Sequence, residues 1–485
     1  MLLEPLFDHA AHQPETLAII DDSGRYTYRQ LAGMAAGFAQ QISSKTKLPR
    51  VGLLLPAGAG FVAGFYGTLL AGKIVVPINF LLGEHEIAHC IADSGIDTVV
   101  TIPQLAGRLG KTSLNVLNIS DVLRPAADQP SSVRPAGDHV AVLIYTSGSS
   151  GLPKGVLLTY DNLQSDVDAA VTAMDFQRTH KFLGIIPLFH IFGITAMMLA
   201  PIQLGATIVY MARFSPIGVV NAIKEYGISL MGGVPSMFAA ILRLKSALPE
   251  DFKTIHVLIS GGEPLPSNLR EAFLARFGVP LLEAYGMTET SLAIALNTPQ
   301  IHRAGSVGKA IPGMEIRIVD DDGGTLPAEQ IGEIWVKGPM VMKEYHNLPT
   351  ETTAALTSEG YFKTGDLGRL DSDGFLYITG RKKELIIVAG EKVSPREVEE
   401  MLMAHPAVAE AAVVGIPDAS RGEAVAAFII PKGAQTINAD DLREFCVRMG
   451  LARWKVPREI QFLPDFPRSP TGKVIKRLLS VPANE

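Results

Sequence analysis

Between residues 51 and 290 the chain alternates short apolar runs with stretches of helical periodicity, and this rhythm restricts the fold more than any other feature. The strand candidates are 51–55, 73–77, 98–102, 140–145, 183–187, 207–211, 257–260 and 281–285. Helical segments lie between them, for example Ser236-Met237-Phe238-Ala239-Ala240-Ile241-Leu242. The pattern predicts an α/β fold with largely parallel sheets. From about residue 303 strand pairs separated by turns take over, with Asp320-Asp321-Asp322-Gly323-Gly324 between two of them, which suggests an antiparallel meander or small barrel. Near 380 a third pattern begins: strands at 385–388, 411–415 and 424–430 and helices at 395–404 and 440–449 form a compact α+β tail. The charged run Gly380-Arg381-Lys382-Lys383-Glu384 marks the joint.

The segment 145–155, YTSGSSGLPKG, follows the apolar strand ending at Ile144. It sets Thr146, Ser147, Gly148, Ser149, Ser150 and Gly151 ahead of Lys154. Glycines let backbone N–H groups approach an anion, hydroxyls add donors, and a lysine supplies a point charge suited to phosphate. A phosphate-cradling loop results. It is not a Walker loop, because Lys154 lies between Pro153 and Gly155. A polar turn between strands is the plainer alternative.

Composition narrows the class. With 485 residues the chain is long enough for roughly three structural units. Hydrophobic residues make up 47% and charged ones 19%, as in a soluble enzyme with a large core. A net charge of −6 and the lack of a basic domain argue against broad nucleic-acid binding. Cys90 and Cys446 lie far apart, which fits a reduced, cytoplasmic setting rather than a disulfide scaffold. The stretch MLLEPLFDHAAHQPE lacks the basic and apolar regions of a secretory signal. Residues 182–212 carry no Asp, Glu, Lys or Arg, but Pro187, His190, Gly193, Pro201 and Gly205 interrupt them, so a buried strand–helix–strand is expected rather than a transmembrane span.

Further strand ends carry chemistry. In Tyr285-Gly286-Met287-Thr288-Glu289-Thr290, Tyr285 can stack on a base, Gly286 leaves room for it, Thr288 can donate to phosphate and Glu289 can hold Mg²⁺. A helix N-cap with acidic first-turn residues explains the same string. Ser260-Gly261-Gly262-Glu263-Pro264 permits a flat ligand against the backbone, or is a turn. Asp366, in YFKTGDLG, suits a ribose clamp or a solvated turn. Lys473, in PRSPTGKV, sits on a stiff loop able to deliver one positive charge, or is an exposed lysine.

Two strings point elsewhere. His85-Glu86-Ile87-Ala88-His89 matches the zinc-protease pattern, but Ile87 and Ile91 make it an ordinary amphipathic helix, without a third ligand and far from every phosphate motif. Gly58-Ala59-Gly60-Phe61-Val62-Ala63 resembles a dinucleotide fingerprint, yet no acidic ribose partner follows at the expected distance.

Taken together, YTSGSSGLPKG, PLFHIFG at 187–193, SGGEP, YGMTE, YFKTGDLG, GRKKELIIVAGEKVSP and PTGK occur in one order along the whole chain. In this the chain closely resembles the adenylate-forming superfamily of acyl-CoA synthetases, peptide-synthetase adenylation domains and firefly luciferase. The resemblance implies a large N-terminal region, 1–382, with two α/β subdomains and a small β-barrel, and a mobile C-terminal lid, 383–485. It implies two half-reactions: a carboxylate attacks the α-phosphate of ATP to give an acyl-adenylate and pyrophosphate, then a thiol, usually of CoA, displaces AMP. By the same resemblance Thr146, Ser147, Gly148 and Lys154 hold the β- and γ-phosphates, and Gly262, Glu263, Tyr285 and Gly286 frame adenine. Thr288 touches the α-phosphate, Glu289 binds Mg²⁺, and Asp366 and Arg381 bind ribose. Lys473 bridges the carboxylate and α-phosphate, Lys383 is the hinge, Gly390 borders the pantetheine tunnel and His190 gates the acyl pocket.

The acid is expected to be apolar. Phe192 stands two after His190, a pocket position in related aryl and fatty ligases, and Met197, Met198, Val234, Met237 and Ala293 complete a lining. Malonate-type relatives carry Arg where this chain has Ala284. The reading is a medium- or long-chain fatty acid transferred to CoA, with an aryl acid, or loading of an acyl carrier protein, as alternatives.

Overall fold

The computed structural model describes residues 2–110, 113–123, 136–146, 152–418, 420–433, 437–468 and 474–479. The chain divides into two compact units, Met1–Glu315 with Val336–Phe362, and Ile316–Trp335 with Lys363–Glu485.

The first unit is built on two sheets. One has nine strands, in the order 309–310, 292–296, 281–287, 257–260, 230–233, 181–184, 207–210, 17–21, 24–27. Its interior strands run parallel, and antiparallel pairs close each side, Leu17–Asp21 with Gly24–Thr27 and Leu281–Met287 with Leu292–Leu296. The second sheet has seven strands, in the order 344–345, 154–159, 140–146, 74–77, 50–54, 98–101, 115–118. Parallel strands buried on both faces need continuous apolar sequence, which the runs at 51–55 and 98–102 provide. All four residues of Thr98–Thr101 are buried.

The stretch without charged side chains, 182–212, folds as the strand Lys181–Gly184, a helical segment from Ile191 to Leu204, and the strand Thr207–Tyr210. The middle of the helical segment, Thr195–Leu199, is a π-turn. Such turns are rare and concentrate at functional sites. Among the described residues no helix is long and apolar enough to cross a membrane.

The dinucleotide-like string opens the helix Ala59–Leu70, which is buried on nearly every side. Its N-terminus is already occupied by a carboxylate of this chain. Asp21 Oδ2 accepts from Ala59 N at 2.8 Å, and a methyl on Gly58 would fall 2.7 Å from that oxygen. The charge that a helix N-terminus attracts is supplied internally there.

In the second unit, the strands expected as a small barrel form a four-stranded sheet in the order 315–319, 332–337, 362–370, 376–381. A five-stranded sheet follows, with 459–462 running parallel to 422–431. The helix Pro395–Met403 packs on it through Val398 and Leu402.

Candidate active site

The two ends of the segment expected to cradle phosphate lie on paired strands. Val140–Thr146 and Lys154–Thr159 pair antiparallel with Thr146 opposite Lys154, so both side chains stand at the mouth of the loop, each half-buried. Ser147, Gly148 and Lys473 lie outside the described residues.

A strap from Pro339 to His346 lies along this hairpin. Lys343 N and His346 N donate to Leu157 O (3.0 Å) and Gly155 O (2.8 Å), and the short strand Glu344–Tyr345 pairs with Leu157 and Val156. The ring of Tyr345 thereby stands beside Lys154, whose Nζ is 5.6 Å from the ring centroid. Its hydroxyl donates to Glu289 Oε1 at 2.9 Å. Burial, then the Glu289 charge, pushes the Tyr345 phenol up, so it remains a donor at neutral pH.

Glu289 sits in the 3₁₀ turn Thr288–Thr290, between the strands Leu281–Met287 and Leu292–Leu296. The turn is tight: Ser291 and Leu292 both have positive φ, +59° and +142°. The strap holds it, with Met342 N donating to Glu289 O (2.7 Å) and Ser291 Oγ to Met340 O (2.8 Å). Gly286 has a structural reason beyond making room for a base. A methyl there would lie 1.5 Å from Leu292 O, so the two strands can cross only at glycine.

Gly262 is left-handed, φ +81°, with Glu263 beside it half-buried. The side of this turn that faces Phe192 is apolar. A methyl on Gly232 would meet the Phe192 ring at 2.7 Å and Met197 Cε at 2.8 Å, and one on Gly261 would be 3.5 Å from that ring and 3.7 Å from Ala284 O. Val234 Cγ1 lies 3.7 Å from the corresponding point on Gly262. Phe192, Val234, Ala284 and Met237 are half-buried, while Ala293, Met197 and Met198 are buried.

His190 precedes the helical turn Ile191–Ile194, and its Nε2 is buried with no hydrogen-bond partner among the described residues. Burial pulls its pKa down to about 4, so the imidazole is neutral at pH 7. A neutral ring can gate a pocket or orient a carboxylate, but it lacks the imidazolium proton that a general acid would give up at pH 7.

In the second unit Asp366 and Arg381 face each other across paired strands, with Arg381 Nε 3.0 Å from Asp366 Oδ1. Asp366 is buried and Arg381 exposed. Lys383 is exposed in the 3₁₀ turn Lys382–Glu384, between Leu376–Arg381 and Ile386–Val388. Gly390 (φ +89°) and Ala389 (φ +51°) form the two-residue turn that joins Ile386–Val388 to Glu391–Val393. Both central residues left-handed is the geometry of a tight hairpin turn.

The H-E-x-x-H segment, expected to lie far from the phosphate motifs, lies against one. It forms the helix Glu84–Ser94; His89 Nε2 is 3.1 Å from Pro153 O, in the phosphate loop. One turn further, Asp93 Oδ2 accepts from the Tyr145 hydroxyl at 2.7 Å. Glu86 is a helix cap, accepting from Gly83 N at 2.9 Å. This helix therefore braces the loop, a role that the string alone does not convey. Asp166 and Tyr345 also escaped the motif reading. Asp166 Oδ1 accepts from Ala293 N at 2.8 Å while Oδ2 has no partner among the described residues, and burial holds the carboxyl well above its usual range.

Mg²⁺ favours oxygen ligands and is held by one or two carboxylates together with substrate phosphates rather than by an all-protein cage. The donor set fits: Glu289 carries a carboxylate, and no group of three or more His, Cys, Asp or Glu that could hold a metal occurs among the described residues.

The chain belongs to the AMP-binding enzyme family, whose main domain matches residues 6–346 and whose C-terminal domain matches 397–473. It is 32% identical to a long-chain-fatty-acid–CoA ligase of Bacillus subtilis, covering 98% of this chain and 93% of that protein. It is equally 32% identical to a feruloyl-CoA synthase of Amycolatopsis, covering 96% of both. The fold matches o-succinylbenzoate coenzyme A synthetase from Bacillus subtilis in complex with ATP and magnesium, with a TM-score of 0.88 at 31% identity over 98% of each chain. The chain is thus an AMP-forming acyl-CoA ligase that works through an acyl-adenylate with ATP, Mg²⁺ and CoA.

Proposed function

We propose that this ligase activates a carboxylic acid with an apolar body, a medium- or long-chain fatty acid. The observation that carries the reading is the apolar face made by Phe192, Met197, Val234 and Ala284 against the glycines 232, 261 and 262, with Met237 beside Gly233. A carboxylate tail or an amine would need a charged partner, and burying one without it is costly. A second reading, an aryl acid, is favoured by one feature: the space beside Gly232 is filled by Phe192 and Met197, which shortens the pocket and suits a flat ring. Relatives are named for both of these classes of acid, and others for sulfoacetate and malonate.

In this scheme the acid is already ionised, so no base is needed for its attack on the α-phosphate. Lys154 and Thr146 draw charge from the β- and γ-phosphates as pyrophosphate departs, and Lys473 neutralises charge between carboxylate and phosphate. Ser147 and Gly148 would add donors of the same loop. Glu289 would hold Mg²⁺, which screens the triphosphate when bound, with Thr288 beside it on the α-phosphate. Gly262, Glu263, Tyr285 and Gly286 would frame the base, and Asp366 with Arg381 the ribose. The residues 383–485 would turn about Lys383 between half-reactions, exchanging Lys473 for the Gly390 hairpin. The thiol of CoA gives up its proton to solvent, its sulfur bonds to the acyl carbon, and AMP leaves with the electron pair of the acyl–oxygen bond.

Pyrophosphate exchange with a panel of fatty, aryl, dicarboxylic and amino acids, followed by thioester formation with free CoA, tests this. Fatty acids leading the panel supports the first reading and aryl acids the second. Preference for a dicarboxylate would overturn both, and adenylation without transfer to CoA would point to a carrier protein.

A further inference from the structure

Tyr345 lies 56 residues from Glu289 in sequence and belongs to none of the motifs, yet it touches two of the groups that surround the triphosphate in the proposed reaction. Its main chain is fixed from three sides. Flanking Lys343 N and His346 N bond to the hairpin strand Lys154–Thr159, and Tyr345 N donates to Thr352 Oγ1 at 3.0 Å. The ring and hydroxyl thus reach Lys154 and Glu289 from a rigid base. The main chain of Glu289 is secured separately, through Met342 N and Ser291 Oγ. Removing the Tyr345 hydroxyl therefore alters the Glu289 side chain while leaving its backbone clamp in place.

We propose that Tyr345 is a positioning residue of the metal–nucleotide site. Its hydroxyl holds the Glu289 carboxylate in one orientation for Mg²⁺, and its ring backs the Lys154 ammonium. A carboxylate already ordered loses less conformational entropy on binding a metal than one that must be fixed at that moment. Ligating carboxylates are commonly held by a hydrogen bond of this kind. An ammonium about 6 Å or less from an aromatic centroid is attracted to its face, so the ring also limits where Lys154 points. The two contacts are separable: phenylalanine keeps the ring and loses the donor, and leucine loses both.

The proposal rests on the reading of Glu289 as the magnesium ligand, so the experiment carries a control for that reading. ATP binding to the full-length enzyme is measured by calorimetry with Mg²⁺ and again with the metal chelated. The ratio of the two affinities is the metal increment. Tyr345→Phe should lower that increment about tenfold, the scale of one hydrogen bond to a charged group. Metal-free affinity should stay within about twofold, since the ring remains over Lys154. Tyr345→Leu should weaken metal-free binding as well. Glu289→Gln should abolish the increment. A wild-type increment in Tyr345→Phe, alongside its loss in Glu289→Gln, overturns the proposal alone. An intact increment in Glu289→Gln overturns the magnesium assignment and the proposal with it. Circular dichroism and the thermal midpoint verify folding, and Mn²⁺ bound to the enzyme–ATP complex, followed by electron paramagnetic resonance, gives a second readout that a packing defect would not shift in the same pattern.

Discussion

Two buried titratable side chains, His190 and Asp166, make opposite predictions about pH. His190 is held near 4 against an ordinary 6.5. Above 6.5 the ring is neutral whether the chain is folded or not, and it adds no pH dependence. As pH falls from there, the unfolded chain takes up a proton that the native site refuses, so native stability drops through 6.5 toward 4, by about 3 kcal/mol at most. His190→Asn removes this step. Its thermal midpoint relative to wild type should be constant above pH 7 and rise as pH is lowered toward 4; a constant difference throughout would show that the ring is solvated. Asp166 has the reverse sign. Its folded pKa lies above the ordinary 3.8 because burial disfavours the carboxylate. It favours the native state below 3.8, and that advantage is lost as pH rises toward the folded value. Asp166→Asn keeps an oxygen for Ala293 N and cannot ionise, so its midpoint should gain on wild type as pH rises above about 4. A midpoint that instead falls behind with rising pH would mean that the carboxylate is charged and paired.

At the scale of elements, glycines of neighbouring motifs do different work. Gly286→Ala places a methyl 1.5 Å from the Leu292 carbonyl, a backbone atom with no room to retreat. It should cost about 3 kcal/mol of stability and displace the turn carrying Glu289, with loss of pyrophosphate exchange. Gly261→Ala meets only ordinary contacts at 3.5 and 3.7 Å, so the enzyme should fold normally while the added methyl narrows the space beside Phe192 and shifts acid preference to thinner chains. Equal thermal midpoints for Gly286→Ala and wild type would defeat the strand-crossing explanation. This contrast also marks what could be read from the sequence. The eight apolar runs all became strands, with ends shifted by up to three residues, because a strand buried on both faces leaves a compositional trace. Leu230–Gly233 left none, since its Gly232-Gly233 end reads as a turn. Leu17–Asp21 is apolar at four of its five positions but stands outside the 51–290 rhythm, and its partner Gly24–Thr27, the edge strand, has no aliphatic side chain to mark it. The site divides in the same way. Lys154, Glu289 and Asp366 lie in motifs whose residues are adjacent in sequence. Tyr345, His89 and Asp93 act through partners 56, 64 and 52 residues away, and a single sequence does not encode such pairings in any local pattern.

For the whole molecule, the proposed turn about Lys383 demands that residues 383–485 change neighbours, and the second unit contains contacts that must break for this. Lys392 Nζ reaches Asp321 Oδ2 at 2.8 Å, and Ser394 Oγ donates to Thr379 O at 2.6 Å. Both cross from the C-terminal part to the four-stranded sheet. Asp321 is shared with Lys382, itself paired to Glu333 at 3.1 Å, so one exposed carboxylate ties residues on each side of the turn. Each contact favours the present arrangement only modestly, which suits a part that must alternate. The Lys392–Asp321 pair is solvent-exposed and screened by salt. The Ser394 hydrogen bond is worth about 1 kcal/mol, a factor near five in population. Ser394→Ala should therefore shift the balance between the two arrangements by about fivefold, and Asp321→Asn by less, with its effect fading at high salt. Adenylation, followed by pyrophosphate exchange, and thioester formation from supplied acyl-adenylate report the two half-reactions separately. The half-reaction served by the present arrangement should slow and the other should quicken, in the same sense for both variants. If each variant instead changed both half-reactions in parallel, the contacts would be ordinary packing, and the turn about Lys383 would have to be sought at another joint.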